Sequence, residues 1–197
     1  LKWGGFVINI NNAVQFQHLI WDRSMKKAKV VVDATCGNGH DLLYLAKRAQ
    51  KGCHLFGIDI QMKAINSSKE LLKTNDIAPD VSLTFIHDSH DLALAHQLKD
   101  EVIDLMIFNL GYLPGSNHKV ITKPHQTIDA IDKGLHKLSK SGVITIVAYP
   151  GTPEGMKEMQ SLTSYLSDLE QKLYNVCHWH PMNQINNPPE LFILQKR

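Results

Sequence analysis

The chain has 197 residues, 43% of them hydrophobic and 20% charged, an ordinary globular composition for one domain with a sizeable core. A formal net charge of +2 is too small to act as a global field on nucleic acid, so such a partner has to be held by local patches. No apolar run approaches the roughly 18 residues of a membrane-spanning helix, and the three cysteines Cys36, Cys53 and Cys177 form no CxxC pair and read as free thiols of a reducing cytoplasm.

The opening LKWGGFVINI lacks a long apolar region and a small-residue cleavage site, so no secretion signal is expected, and residues 1–27 read as an N-terminal helical segment of a single domain covering 1–197. KVVVDAT is a short valine-rich run, followed after CGNGH by the helical stretch DLLYLAKRAQ. HLFGIDI gives a second strand and MKAINSSKELLKTN a second helix that stops near Asn75. VSLTFIH is a third strand, DLALAHQLKD a short helix and VIDLMIFN a fourth strand. The helix TIDAIDKGLHKLSKS, capped by Thr127 and followed by Gly142, leads to the fifth strand GVITIVAY. A helix over about 154–172 comes next, and YNVCHWH and ELFILQKR, joined by PMNQINNPP, should pair antiparallel at a sheet edge. Continuous apolar strands alternating with helices imply an α/β parallel sheet covered on both faces.

In such a sheet, ligands bind beyond the carboxyl ends of the strands, where the strand order switches. The first strand ends VVVDATCGNGHD, in which Gly37 and Gly39 permit a tight turn and close backbone approach. The third glycine of a dinucleotide fingerprint is absent, with Leu42 in its place, and a plain strand–helix turn is the bland alternative. The second strand ends GIDIQ and sets Asp59 twenty residues after Gly39, where a carboxylate can accept ribose hydroxyls or cap the next helix. Together the two features favour an adenosine-containing cofactor. Asp33 and Asp41 suit the ammonium of a methionine moiety and repel a diphosphate, which favours S-adenosylmethionine over NAD. In HDSHD, Ser89 and His90 can contact adenine, while Ser89 or Asp91 can also cap a helix.

The fourth strand ends on an amide, in FNLGYLPG. Burying Asn109 there costs free energy unless it is hydrogen-bonded. Asn109, Leu110, Gly111 and Tyr112 have the N-x-x-aromatic spacing of the NPPY tetrapeptide of amine methyltransferases, without its prolines. An alkylamine has a pKa of about 10, and lowering it to about 7 takes roughly 4 kcal/mol of destabilisation of the cation. A carboxylate would act against this, whereas a neutral amide orients the nitrogen without stabilising ammonium. The bland alternative is an Asn that satisfies turn backbone.

With these residues assembled, the chain resembles the bacterial class I methyltransferases labelled "putative rRNA methylases": DATCGNGHD, DIQ, SHD, FNLGYLPG, PEG and the terminal NxPP loop occur in the family's order, from about Ala28 onward. The resemblance implies a Rossmann-like class I methyltransferase fold, a seven-stranded mostly parallel sheet with a C-terminal antiparallel pair. It implies S-adenosylmethionine as cofactor and methylation of the amine of 5-aminomethyl-2-thiouridine at the tRNA wobble position. Carried over by position, Asn38, Asp41, Asp59, Gln61, Ser89 and His90 would form the cofactor site, with Gly37 and Gly39 shaping the turn, and the charge argument adds Asp33; Asn109, Leu110 and Tyr112 would face the substrate. Thr152 stands where the family has histidine.

An anticodon-loop base must be splayed from its stack to react. Tyr112 is the stacking candidate, and Lys119 and Lys123 sit where phosphates would pass. The cluster Lys26, Lys27 and Lys29 reads as a solvated face. His178 and His180 share a strand face but lack further ligands at metal-site spacing, so no metal is expected. His118 and His125 lie on the presumed substrate loop, where solvent can equally take the released proton, and Cys36 reads as small packing. The expected partner is the tRNA anticodon loop in the cytoplasm, with no membrane and with a homodimer left open. Two rival readings stand beside the leading one: the same cofactor with rRNA or a small amine as acceptor, and a non-enzymatic cofactor-binding, RNA-associated module. A passive binder has no use for the Asn109–Tyr112 pair.

Overall fold

The structure is a computed structural model and describes residues 12–111 and 123–197. Seven strands, β1 (Val30–Asp33), β2 (His54–Asp59), β3 (Ser82–His87), β4 (Ile103–Asn109), β5 (Leu138–Ala148), β6 (Tyr174–Trp179) and β7 (Glu190–Lys196), form one sheet in the order β3-β2-β1-β4-β5-β7-β6. Strands β1 to β5 run parallel, and β7 pairs antiparallel with both β5 and β6. The expected fold class is therefore present, terminal pair included.

Among the described residues, six helices cover the sheet: α1 (Ala13–Ser24), α2 (His40–Ala46), α3 (Met62–Lys73), α4 (His90–His96), α5 (Pro124–Lys137) and α6 (Pro153–Ser167). The pleat sends alternate residues to opposite faces. Val31, Leu55, Leu105, Ile107 and Val143 pack with Trp21, Met25, Leu42, Leu45, Ile65 and Leu72 under α1, α2 and α3. Val32, Phe56, Met106, Phe108, Ile144 and Ile146 pack with Leu94, Ile131, Leu135 and Leu162 under α4, α5 and α6. Both faces are thus buried, which is why these strands read as unbroken apolar runs.

On α1, Asn12 caps the start, its side chain accepting from the amides of Val14 and Gln15 at 2.9 and 3.3 Å. Ala13, Gln17 and Trp21, four residues apart, face inward, and Trp21 Nε1 donates to the Thr145 hydroxyl at 2.9 Å. That bond fastens α1 across β5, beside the carboxyl end of the sheet. Gly134 lets α5 lie directly on β4, because a Cβ there would fall 2.0 Å from Met106 Cε.

Several boundaries differ from the sequence expectation: α2 ends at Ala46 and α4 at His96, each four residues short of the stretch read as helical, and α5 and α6 differ as well. Helix α5 begins at Pro124, whose fixed φ and missing N–H suit a first helical turn. Thr127 is therefore not its cap: the side chain is buried and donates to Glu158 Oε1 at 2.9 Å. The same helix stops at Lys137, and the chain from Leu138 already belongs to β5, with Ser141 at φ 63° before Gly142. Finally, α6 spans Pro153–Ser167, shorter than the expected 154–172.

Candidate functional site

The strand order changes direction at β1, which has β2 on one side and β4 on the other. The carboxyl ends of these three strands deliver Asp33, Asp59 and Asn109 to one place. Asp33, 1% exposed, accepts the Thr35 amide at 3.1 Å through Oδ1, while its buried Oδ2 has no partner among the described residues. Burial, and then the neighbouring Asp41 and Asp59 charges, push its carboxyl well above the usual range.

After Asp33 the chain turns through Gly37 and Gly39, at φ 51° and 86°. At Gly39 a side chain is excluded twice over, since a Cβ would also stand 2.8 Å from Ser68 Cα on α3. Asp59 ties the turn to the next helix: Oδ2 accepts the Gly37 amide at 3.0 Å and Oδ1 the Gln61 amide at 2.8 Å. Burial raises its carboxyl and these two amides oppose the rise. The helix-anchoring and ligand-facing alternatives for Asp59 are compatible, because each oxygen keeps a further lone pair. Asn38 is half-buried in the turn, and Gln61 precedes α3. Cys36 is buried, its thiol pushed up by burial, which fits a packing role.

At the end of β3, Ser89 Oγ, His90 Nε2 and Asp91 Oδ1 are buried without hydrogen-bond partners among the described residues. Neither Ser89 nor Asp91 caps α4 through its side chain; the Ser89 amide instead donates to Asp88 Oδ1 at 2.8 Å. His90 stands edge-on to Phe108, with ring centroids 5.8 Å apart, and burial lowers its pKa.

Asn109 occupies the centre. Its backbone N–H donates to the Thr35 hydroxyl at 2.7 Å, and its side-chain Nδ2 donates to Asp41 Oδ2 at 3.1 Å. The Tyr149 hydroxyl donates to Asn109 Oδ1 at 2.7 Å. A carboxylate can only accept at neutral pH, so these partners fix which end of the amide carries oxygen. Asp41 Oδ1 in turn lies 3.4 Å from Nε2 of His18, whose ring stacks on Tyr44 at 3.8 Å. Leu110 is buried and its amide donates to the Val147 carbonyl at 2.9 Å.

Tyr112 and Lys119, with Pro114 and His118, lie outside the described residues. Lys123 is exposed at the start of α5, and Lys29 lies at the other end of the sheet, its ammonium on the Lys51 carbonyl at 3.1 Å. His178 sits against Glu190 and Phe192, and no group of three or more metal-ligating side chains occurs among the described residues.

Sequence reasoning missed Tyr149, His18 and Thr35. Tyr149 had a usable signal, being the first residue past β5 and next to the glycine-rich PGTPEG. The PEG segment holds it: the Gly155 position would put a Cβ 2.0 Å from the Tyr149 carbonyl oxygen. Thr152, in the place of the expected histidine, caps α6 by accepting the Gly155 amide at 3.1 Å.

Three clustered carboxylates suit a cationic ligand, and the unpartnered buried atoms of Asp33, Ser89 and His90 supply polar groups awaiting a partner. The residues present therefore fit an adenosine ligand that carries positive charge.

The family described as "Putative rRNA methylase" matches residues 55–195. The Arabidopsis thaliana protein named "tRNA (mnm(5)s(2)U34)-methyltransferase, chloroplastic" is 28% identical over 203 residues, covering 98% of this chain and 72% of that protein. A crystal structure titled putative rRNA-methylase from Clostridium thermocellum superposes with a TM-score of 0.87 at 34% identity, covering 96% of this chain and 100% of that one. A "putative methyltransferase" from Streptococcus mutans in complex with SAH gives 0.83 at 33% identity, with the same coverage of both chains.

Proposed function

This chain belongs to the "putative rRNA methylase" family of S-adenosylmethionine-dependent methyltransferases, and we propose that it methylates the primary amine of 5-aminomethyl-2-thiouridine at the tRNA wobble position. The cofactor is S-adenosylmethionine, which supplies an electrophilic methyl group on a sulfonium. Asp33 and Asp41 would hold its cationic end, Asp59 the ribose, and Ser89 and His90 the adenine edge, with Gly37, Asn38, Gly39 and Gln61 shaping the cradle.

The observation that carries the proposal is the oriented amide of Asn109. Asp41 holds Nδ2 behind it, so Oδ1 is presented as a neutral acceptor at the carboxyl end of β4. One lone pair of that oxygen takes the Tyr149 hydroxyl, and the other accepts an N–H of the substrate amine. A neutral acceptor directs the nitrogen lone pair without favouring its protonated form, and desolvation beside the sulfonium acts the same way. The name of the Arabidopsis relative supports the tRNA substrate. Tyr112 would stack on the splayed base, with Lys119 and Lys123 toward phosphates.

The family description makes rRNA the second acceptor to test. Bulk tRNA and rRNA from cells lacking the gene, incubated with the protein and labelled S-adenosylmethionine and then digested for nucleoside mass spectrometry, decide between them. Label in methylaminomethyl-2-thiouridine supports the proposal; label confined to rRNA nucleosides rejects it.

A further inference from the structure

We infer that His18 is a positioning residue for methyl transfer: from α1 it holds Asp41, and through Asp41 it fixes which end of the Asn109 amide meets the substrate. The inference rests on the amine reading above and deepens it, because that reading needs the oxygen of the amide, and not its nitrogen, turned toward the amine. The two orientations are nearly equal in shape and opposite in effect. Turned round, the amide would aim N–H donors at the amine, and these would bind the nitrogen lone pair that has to attack the methyl group.

Of Asp41 and Tyr149, the carboxylate is the partner that selects the orientation. A hydroxyl both donates and accepts and so can serve either one, whereas a carboxylate only accepts and demands Nδ2 at its 3.1 Å contact. Asp41 lies in the first turn of α2, just after the glycine turn, on a side chain with two rotatable torsions. His18 restricts that rotation by engaging the other oxygen: Nε2 lies 3.4 Å from Oδ1, while Oδ2 receives the amide. A carboxylate brings no hydrogen, so the hydrogen of this contact sits on Nε2. The separation is at the long end for a hydrogen bond, so the placement of the ring matters more than the strength of the bond.

Both helices place that ring. It stacks on Tyr44 of α2 with centroids 3.8 Å and planes 23° apart, and lies 4.7 Å from Trp21, which is itself bonded to Thr145 of β5. The Tyr44 hydroxyl donates to Asp22 of α1 at 2.8 Å, a second tie between the helices. The contacts thus run from β5 through α1 and α2 back to the end of β4. The side chains of His18 and Asp41 are 22% and 17% exposed, which limits competition from water. Such a circuit holds the amide in place before substrate arrives, which spares the reaction the cost of ordering it.

Two variants separate the hydrogen bond from the stack. His18→Phe keeps a ring for Tyr44 and has no donor, whereas His18→Gln keeps an N–H donor of similar reach and has no ring. Each is assayed with S-adenosylmethionine and tRNA carrying the aminomethyl group for kcat and KM. Each is also examined free of ligands by NMR, with isotope-labelled asparagine, for the side-chain amide signal of Asn109. We expect kcat to fall about tenfold or more in His18→Phe with the KM for tRNA within about twofold of wild type, and His18→Gln to stay within about threefold of wild type in kcat. The Asn109 signal should move in His18→Phe and lie near its wild-type position in His18→Gln. An unchanged kcat in His18→Phe, a His18→Gln variant as slow as His18→Phe, or an unmoved Asn109 signal in His18→Phe each overturns the inference. Failure of the wild type to methylate the aminomethyl tRNA overturns the amine reading instead, and the Asn109 signal then still decides whether His18 orients the amide.

Discussion

Replacing Asn109 with aspartate changes almost no volume and reverses one interaction. The Nδ2 that donates to Asp41 Oδ2 at 3.1 Å becomes a second carboxylate oxygen facing the first. With charge centres roughly 4 Å apart and an effective dielectric of about 20, the repulsion is about 4 kcal/mol, enough to lift the new carboxyl from a pKa of about 4 to about 7. A raised folded-state pKa gives a contribution that is complete below the unfolded value and is lost as pH climbs through the folded one. Asn109→Asp should therefore melt with wild type near pH 4 and fall progressively below it by pH 8, whereas Asn109→Ala should show a deficit that does not change with pH. Turnover on aminomethyl-bearing tRNA at pH 7.5 should fall on the order of 100-fold in Asn109→Asp, because the ionised group also stabilises the substrate ammonium. Differential scanning fluorimetry across pH, paired with a labelled-methyl assay, measures both. Wild-type melting at every pH together with equal or faster turnover would refute the idea that a neutral amide is required.

Two further substitutions probe the supports of the site. Asp33→Asn removes a buried carboxylate whose pKa is raised, so the wild type, unlike the variant, should lose stability as pH rises above about 4. The free variant should melt higher at pH 8 yet bind S-adenosylmethionine at least about tenfold more weakly by calorimetry, and identical pH–melting curves would count against the assignment. Gly155→Ala places a Cβ 2.0 Å from the Tyr149 carbonyl oxygen, which backbone movement must relieve. A loss of about 2 kcal/mol, or about 4–8 °C in Tm, is expected along with slower methyl transfer, and an unaltered melt would show that the turn yields freely.

The grouping of the candidate site's glycine turn and strand-end carboxylates was legible because its signals are local. Turn glycines, strand-terminal aspartates and alternating apolar periods each fall within a few consecutive residues, and the topology rule for open α/β sheets then gathers them at the switch. Boundaries were less legible where a tertiary partner competes with a local one. Thr127 has the chemistry of a cap, but Pro124 starts the helix and buried Glu158 claims the hydroxyl. Before α4 a different local partner decides: Asp88, not Ser89 or Asp91, accepts the Ser89 amide.

The amino-acid order alone determined the seven-strand plan, the acidic glycine turn and the amide at the end of β4, since each follows from residue type and near-neighbour spacing. The tertiary structure decided what that amide touches. His18 reaches Asp41 across 23 residues and Tyr149 reaches Asn109 across 40, distances over which no periodicity persists. Only strand pairing and the packing of α1 against the sheet bring those groups within hydrogen-bonding range, and so only the fold assigns the amide its orientation and its neighbours.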